Sequence, residues 1–197
     1  MTGGRLLDRL AAGTPFGIVF GGQGEAAWLD HLADLLRRHD VELAPLLAAV
    51  DEQLAPVADE LRRTGTSFEP LVWADRIAAG ESAVDEDWPA PPTADALLMP
   101  SVAIPGVTLS QIAGLRALLG LGLDPAGAVA VAGHSQGVLA AAAVEDLPDV
   151  EVIAIGRLAG VAVEQVARRQ GLLGATMLSV TGPTADEVAA TLLDLPD

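Results

Sequence analysis

Residues 128–144, AVAVAGHSQGVLAAAAV, constrain this chain more than any other stretch. Small apolar residues run into Gly133-His134-Ser135-Gln136-Gly137, and an alanine-rich apolar segment follows. The pattern predicts a strand, a tight turn and a helix, with a serine at the apex. It is the G-x-S-x-G arrangement of a nucleophile elbow. Such a serine sits in a strained backbone conformation, so that its hydroxyl projects above the strand end. Gly133 and Gly137 remove the side chains that would collide as strand turns into helix. The helix N-terminus favours developing negative charge, and the N–H of Gln136 is the natural oxyanion donor. His134, next to the serine in the turn, reads as a packing residue. The same five residues also fit a glycine-rich strand–helix turn that merely contains a serine.

Around this stretch, 197 residues suffice for one domain with a full core, or one and a fraction. The charged fraction is 19%, so the chain has the apolar content of a folded protein. Mean hydropathy is positive, at +0.41, yet no run of 18 uninterrupted apolar residues occurs, and a membrane span is not expected. Net charge is −16, and all the basic residues are arginine. That balance opposes nucleic-acid binding, which needs clustered cations on phosphates. With no cysteine, disulfides, thiolate catalysis and cysteine-ligated zinc are excluded, and no metal site is expected. The N-terminal MTGGRLLDRLAAG lacks the apolar core of a signal peptide, so a cytoplasmic location is the default.

A second strand–glycine loop–helix unit precedes the elbow. Residues 15–20 read as a buried strand, Gly21-Gly22-Gln23-Gly24 as a loop, and Glu25 to Arg38 as a helix. Gly22-x-Gly24-x-x-Ala27 fits the dinucleotide fingerprint. That reading needs a second strand ending in an acid about 20 residues on. Asp40 and Glu42 stand there, but no apolar strand leads to them. In the other reading, the glycines bring backbone N–H groups close to an oxyanion, with Gln23 as the second donor.

Arg5 to Ala12 has the spacing of a short helix. Val41 to Arg63 has helical spacing with Pro56 inside it, which predicts a kink or split. A short helix is expected over 68–79, an acidic, proline-containing surface loop over 81–95, and an extended segment over 97–104. A helix follows from Pro105 to Leu121, and a turn at Asp124-Pro125-Ala126-Gly127. The helix over 150–169 is expected to bury Val152, Ile155, Leu158, Ala159, Ala162, Val163 and Val166, with Gly171 as its stop. Residues 175–181 alternate as a strand, and Thr184 with Glu187 forms a capping box opening a last helix.

A serine nucleophile needs a base, usually histidine. His134 is directed away from the serine hydroxyl by its place in the turn. His31 and His39 fall on the polar side of the first long helix, as surface residues. None is a convincing base.

Together, Gly133-His134-Ser135-Gln136-Gly137 and the upstream Gly22-Gln23-Gly24 resemble the acyltransferase domain of fatty acid synthases and malonyl/acetyl transacylases. With the preceding phenylalanine and glycine, they most resemble the N-terminal acetyltransferase domain of the type I fatty acid synthases of fungi and actinobacteria. The resemblance extends over Pro105 to Gln111 and over Ala167-Arg168-Arg169-Gln170-Gly171, and so over most of the chain. It implies an α/β fold with a parallel sheet and helices on both faces. Residues 1–172 would be the core, and 173–197 the beginning of a small ferredoxin-like subdomain.

The implied chemistry is transfer of an acetyl group from acetyl-CoA to Ser135. The group then passes to the phosphopantetheine thiol of an acyl carrier protein, with the N–H groups of Gln136 and Gln23 holding the oxyanion. No resident cofactor is implied. The partners implied are the carrier protein and the other domains of a homo-oligomeric synthase. Malonyl-specific members carry an arginine in the helix after the nucleophile helix; Leu158 to Ala162 contains none, which favours acetyl over malonyl. The family's catalytic histidine lies beyond Asp197, so the chain reads as part of a longer polypeptide, inactive by itself. Two other readings remain open: a serine thioesterase or esterase of α/β-hydrolase type, and a non-catalytic assembly fragment of a synthase.

Overall fold

The computed structural model describes residues 6, 8–10, 12–22, 27–64, 67–79, 94–145 and 147–172. Two strands form where the sequence places them: β1, Phe16–Phe20, and β2, Ala128–Gly133. They pair in parallel, with Ile18 opposite Val131 and Phe20 opposite Gly133. A parallel pair needs a long crossover, and here the crossover carries most of the domain. It contains α1 (Trp28–Arg38), α2 (Ala44–Leu54), α3 (Ala58–Thr64), α4 (Pro70–Ala78), α5 (Ala94–Leu98) and α6 (Pro100–Gly120). After β2 come α7 (Gly137–Val144) and α8 (Asp149–Gln170).

The result is a mixed α/β domain, mostly helical, with a two-stranded parallel sheet among its described residues. Ile18, Phe20 and Val131 pack on Leu115 of α6 and on Ala140, Ala141 and Val144 of α7. Helices over both faces were expected. Among the described residues the packing lies on one face, and Val19 and Val129 are 76% and 73% exposed. The subdomain expected over 173–197 lies outside the described residues, as does the acidic segment 81–93.

Pro56 splits the helical run 41–63 as its missing N–H requires. α2 ends at Leu54, a single 3₁₀ turn covers Ala55–Val57, and α3 begins at Ala58. The main core joins Leu29 and Leu32 of α1, Leu46 and Val50 of α2, Trp73 of α4, Ile112 of α6 and Ile153 of α8. Full burial of such side chains contributes roughly 1.5–3 kcal/mol each. Trp28 lies flat against Gly106, where a Cβ would come within 2.5 Å of the indole. The indole Nε1 donates to the Leu97 carbonyl at 3.3 Å.

Two expectations are corrected here. Residues 97–104 are helical on either side of Met99 rather than extended throughout, because Pro100 opens α6 at its first turn, where its missing N–H costs nothing. The helix then runs through Pro105. A proline at that position leaves the carbonyl of Ser101, four residues earlier, without its usual helical donor. Arg157 of α8 supplies one through Nη1. The second correction concerns α8. Its buried face carries Val152 as expected, but with Ile153, Ala154, Gly156, Gly160, Val161 and Glu164 in place of the other apolar residues expected. Ile155, Leu158, Val163 and Val166 are 43–51% exposed. A Cβ on Gly160 would overlap the Pro100 carbonyl oxygen, so the glycine permits a close α6–α8 approach that larger residues would prevent.

That approach seats Glu164, fully buried, at the start of α6. Its Oε2 accepts the Ser101 N–H at 3.2 Å, and its Oε1 pairs with Arg168 at 2.7 Å. Burial pushes the carboxyl up. The Ser101 hydroxyl, Arg168 and the Ser101 N–H more than offset this and hold it below the ordinary glutamate value. The positive end of α6 faces the same carboxylate. At the other end of the interface, Arg116 pairs with Asp149 at 2.6 Å in the first turn of α8 and donates to the Glu42 carbonyl at 3.0 Å.

Candidate active site

β2 delivers the chain to the expected turn. The His134 N–H donates to the Phe20 carbonyl at 2.9 Å, so pairing with β1 continues into the turn. Ser135 follows at φ +52°, and among the described residues it is the one non-glycine with positive φ. Two short bonds close the loop: Gly137 N–H to the His134 carbonyl at 2.9 Å, and Val138 N–H to the Ser135 carbonyl at 3.2 Å. Gln136 occupies the N-cap position of α7. Ser135 is exposed to solvent.

Both glycines of the motif are required by close backbone approach. A Cβ on Gly133 would overlap the backbone of Gly137 and Val138. One on Gly137 would overlap the Phe20 carbonyl oxygen and lie 2.5 Å from that of Gly21. The start of α7 thus rests directly on the end of β1. A left-handed serine costs roughly 1–2 kcal/mol, and strain of this kind concentrates at functional sites. Ser135→Gly is therefore expected to stabilise the domain by roughly 0.5–1 kcal/mol, after allowing for glycine's larger unfolded-state entropy. Thermal denaturation beside the parent chain would register this as a raised Tm. An unchanged or lowered Tm would mean that the turn is relaxed as it stands.

The first glycine loop meets the elbow. A Cβ on Gly22 would lie 2.8 Å from Ser135 Cβ and 3.0 Å from His134 Nδ1. Gln111 of α6 holds this loop from behind, its Nε2 donating to the Gly21 carbonyl at 2.6 Å. Among the described residues its Oε1 is shielded from solvent without a hydrogen-bond partner. Sequence reasoning assigned Gln111 no role, although a lone carboxamide between Leu109 and Ile112 on an apolar helix was the available signal. Gln23, the expected second oxyanion donor, lies outside the described residues.

Among the described residues, the dinucleotide reading finds no second strand leading to Asp40 or Glu42. Asp40 and Glu42 sit in the short connection into α2, and the neighbour of β1 in the sheet is β2. His31 is exposed on α1, and His39 ends that helix through its backbone N–H to the Leu35 carbonyl. Among the described residues no histidine is hydrogen-bonded to Ser135, and no group of three acids or histidines has metal-ligating geometry.

The fold and the turn define a mixed α/β domain with a strand–serine–helix apex held against a glycine loop. No protein-family model matches the chain, and no curated protein matches its sequence.

Proposed function

We propose that Ser135 is the acyl-accepting nucleophile of an acyltransferase, with the acyltransferase fold of the fatty acid synthase family and a role in fatty acid synthesis. The observation that carries this reading is the left-handed backbone of Ser135 between a strand and a helix, with the loop at Gly22 against its Cβ. A left-handed serine has no structural use that glycine would not serve at lower cost.

In the proposed reaction, Ser135 Oγ attacks the carbonyl carbon of acetyl-CoA and its proton passes to a base. The C–S bond breaks, and the CoA sulfur leaves and takes up a proton. The product is an acetyl ester of Ser135. A phosphopantetheine thiol of an acyl carrier protein then attacks the ester carbonyl, forming a new thioester and returning Ser135 Oγ–H. The N–H of Gln136, at the N-cap of α7, and that of Gln23 stabilise the oxyanion in both halves. None of the three histidines is hydrogen-bonded to Ser135, so turnover in this reading calls for a base from another group or from a partner. Acetyl is favoured over malonyl because Leu158 to Ala162, the matching part of α8, contains no arginine to pair with a malonyl carboxylate.

The test is intact-mass and peptide-mapping mass spectrometry after exposure to p-nitrophenyl acetate and, separately, to acetyl-CoA. The activated ester needs little base assistance, so one acetyl group is expected on the Ser135 peptide, absent in Ser135→Ala. Added pantetheine is expected to remove it as acetyl-pantetheine. No label at Ser135 from the activated ester would overturn the nucleophile assignment. Loss to water that pantetheine cannot compete with would make the chain a hydrolase.

A further inference from the structure

The face of α8 opposite its buried side is apolar. Between residues 152 and 167 the exposed positions of this helix are Ile155, Leu158, Ala162, Val163 and Val166, and none is polar or charged. Ala159, half-buried, lies among them. At about 3.6 residues per turn these positions fall in one stripe, roughly three turns long. Scattered apolar side chains are ordinary on a surface, but a contiguous stripe marks an interaction surface.

Charges close the stripe at its ends. Glu151 stands in the first turn of α8 and Arg169 in the last, and both are exposed. They are about five whole turns apart, so they project from the same side of the helix. The distance between them, roughly 27 Å along the axis, keeps them from meeting within one chain. Among the described residues neither has an ion-pair partner: the neighbouring Asp149 and Arg168 are paired with Arg116 and Glu164.

We infer that this stripe is where a second copy of the chain docks, α8 against α8, antiparallel about a two-fold axis. The stripe is complementary to its own reversal, which is what a two-fold interface requires. An axis midway between residues 160 and 161 sets Ile155 against the partner's Val166, Leu158 against the partner's Val163 and Ala159 against the partner's Ala162. The small residues at the centre let the helices approach closely. The same axis brings Glu151 to the level of the partner's Arg169, at both ends and on the same side. Parallel docking would instead set like charges together. The net charge of −16 opposes self-association in general, and the stripe is a stretch of α8 that carries none of it. One helix pair lies at the small end of specific interfaces, so a dissociation constant of roughly 1–100 μM is expected. The surface shares no residue with the elbow and is independent of the acyl-transfer reading.

Sedimentation velocity of the full chain over a concentration series, at about 0.15 M salt to screen the net charge, is expected to show the mass rising from 20.1 kDa towards a dimer. Leu158→Glu, at a position 43% exposed, buries two carboxylates in the apolar contact. It is expected to weaken the dimer at least about tenfold, with an unchanged Tm showing that the fold is intact. Glu151→Arg and Arg169→Glu each set like charges together at both ends, and each alone is expected to weaken it about tenfold. Mixed in equal amounts, these two variants restore an opposite-charge pair at each end, and the mixture is expected to associate nearly as tightly as the parent. No effect confined to one chain gives recovery on mixing. A chain still monomeric at about 1 mM would overturn the proposal and leave the stripe to residues 173–197 or to a different protein. A dimer indifferent to Leu158→Glu, or a mixture that associates no better than its components, would overturn it equally.

Discussion

Glu164→Ala is expected to destabilise the domain by about 3–5 kcal/mol, the range for breaking a buried, hydrogen-bonded charge pair. Three losses combine. The Ser101 N–H and hydroxyl lose their acceptor at a buried helix start, a cavity opens between α6 and α8, and Arg168 loses its anion. Urea denaturation of the variant beside the parent would measure it. A change below ~1 kcal/mol would mean that the helix start finds another acceptor.

The same carboxylate gives a pH signature. Its folded-state value is depressed, so its contribution is fully present above the ordinary glutamate value of ~4.3. It is lost progressively as pH falls through the lower folded-state value. Glu164→Gln preserves volume and one acceptor, so it is expected to remove part of the stability at neutral pH and flatten the acid limb of the stability curve. An acid limb as steep as the parent's would assign acid sensitivity to other carboxylates.

Gly137→Ala is the second large effect, expected to cost about 3 kcal/mol or more, at the upper end of overpacking penalties. The added methyl would meet the carbonyl oxygens of Phe20 and Gly21. These are backbone atoms tied into β1 and held by the Gln111 carboxamide, so neither can rotate away. Relief requires α7 to lift from the strand end, which also displaces Ser135. Stability and acetyl labelling are therefore expected to fall together. Ser135→Ala, by contrast, is expected to remove labelling with little change in Tm. A Gly137→Ala chain with parental Tm and labelling would show that α7 does not rest on β1 as described.

Short-range chemistry was legible in the sequence. The strand 128–133, the turn at 134–136 and the helix from 137 follow from the order of small apolar residues and two glycines. The break around Pro56 follows from one missing N–H, and Gly171 ends α8 at φ +71°. Gly21 and Gly22 follow β1 as read, but the position of Gly22 against Ser135 was not legible, because β1 and β2 are separated by the whole helical crossover.

Two readings failed for one reason. Counting apolar residues put Ile155, Leu158, Val163 and Val166 inside and left Pro105 as a helix start. The structure instead buries Gly156, Gly160 and Glu164, and carries α6 through Pro105. Local patterns assign no hydrophobicity to glycine and a penalty to buried glutamate and interior proline. They do not register that glycine allows helices to touch, or that Arg157 and Glu164 on one helix satisfy the polar groups of Ser101 on another.

The sequence by itself determined that the helical run 41–63 breaks at Pro56, that α8 ends at Gly171, and that a serine stands at the apex of a strand–helix turn, since each depends on steric limits within a few residues. Only the tertiary structure decided which face of α8 is buried, what holds the Gly21 carbonyl, and that Arg157 donates to the Ser101 carbonyl. Those outcomes depend on hydrogen bonds and close contacts between residues distant in the chain, where one group's unmet need is answered by another that no local pattern connects to it.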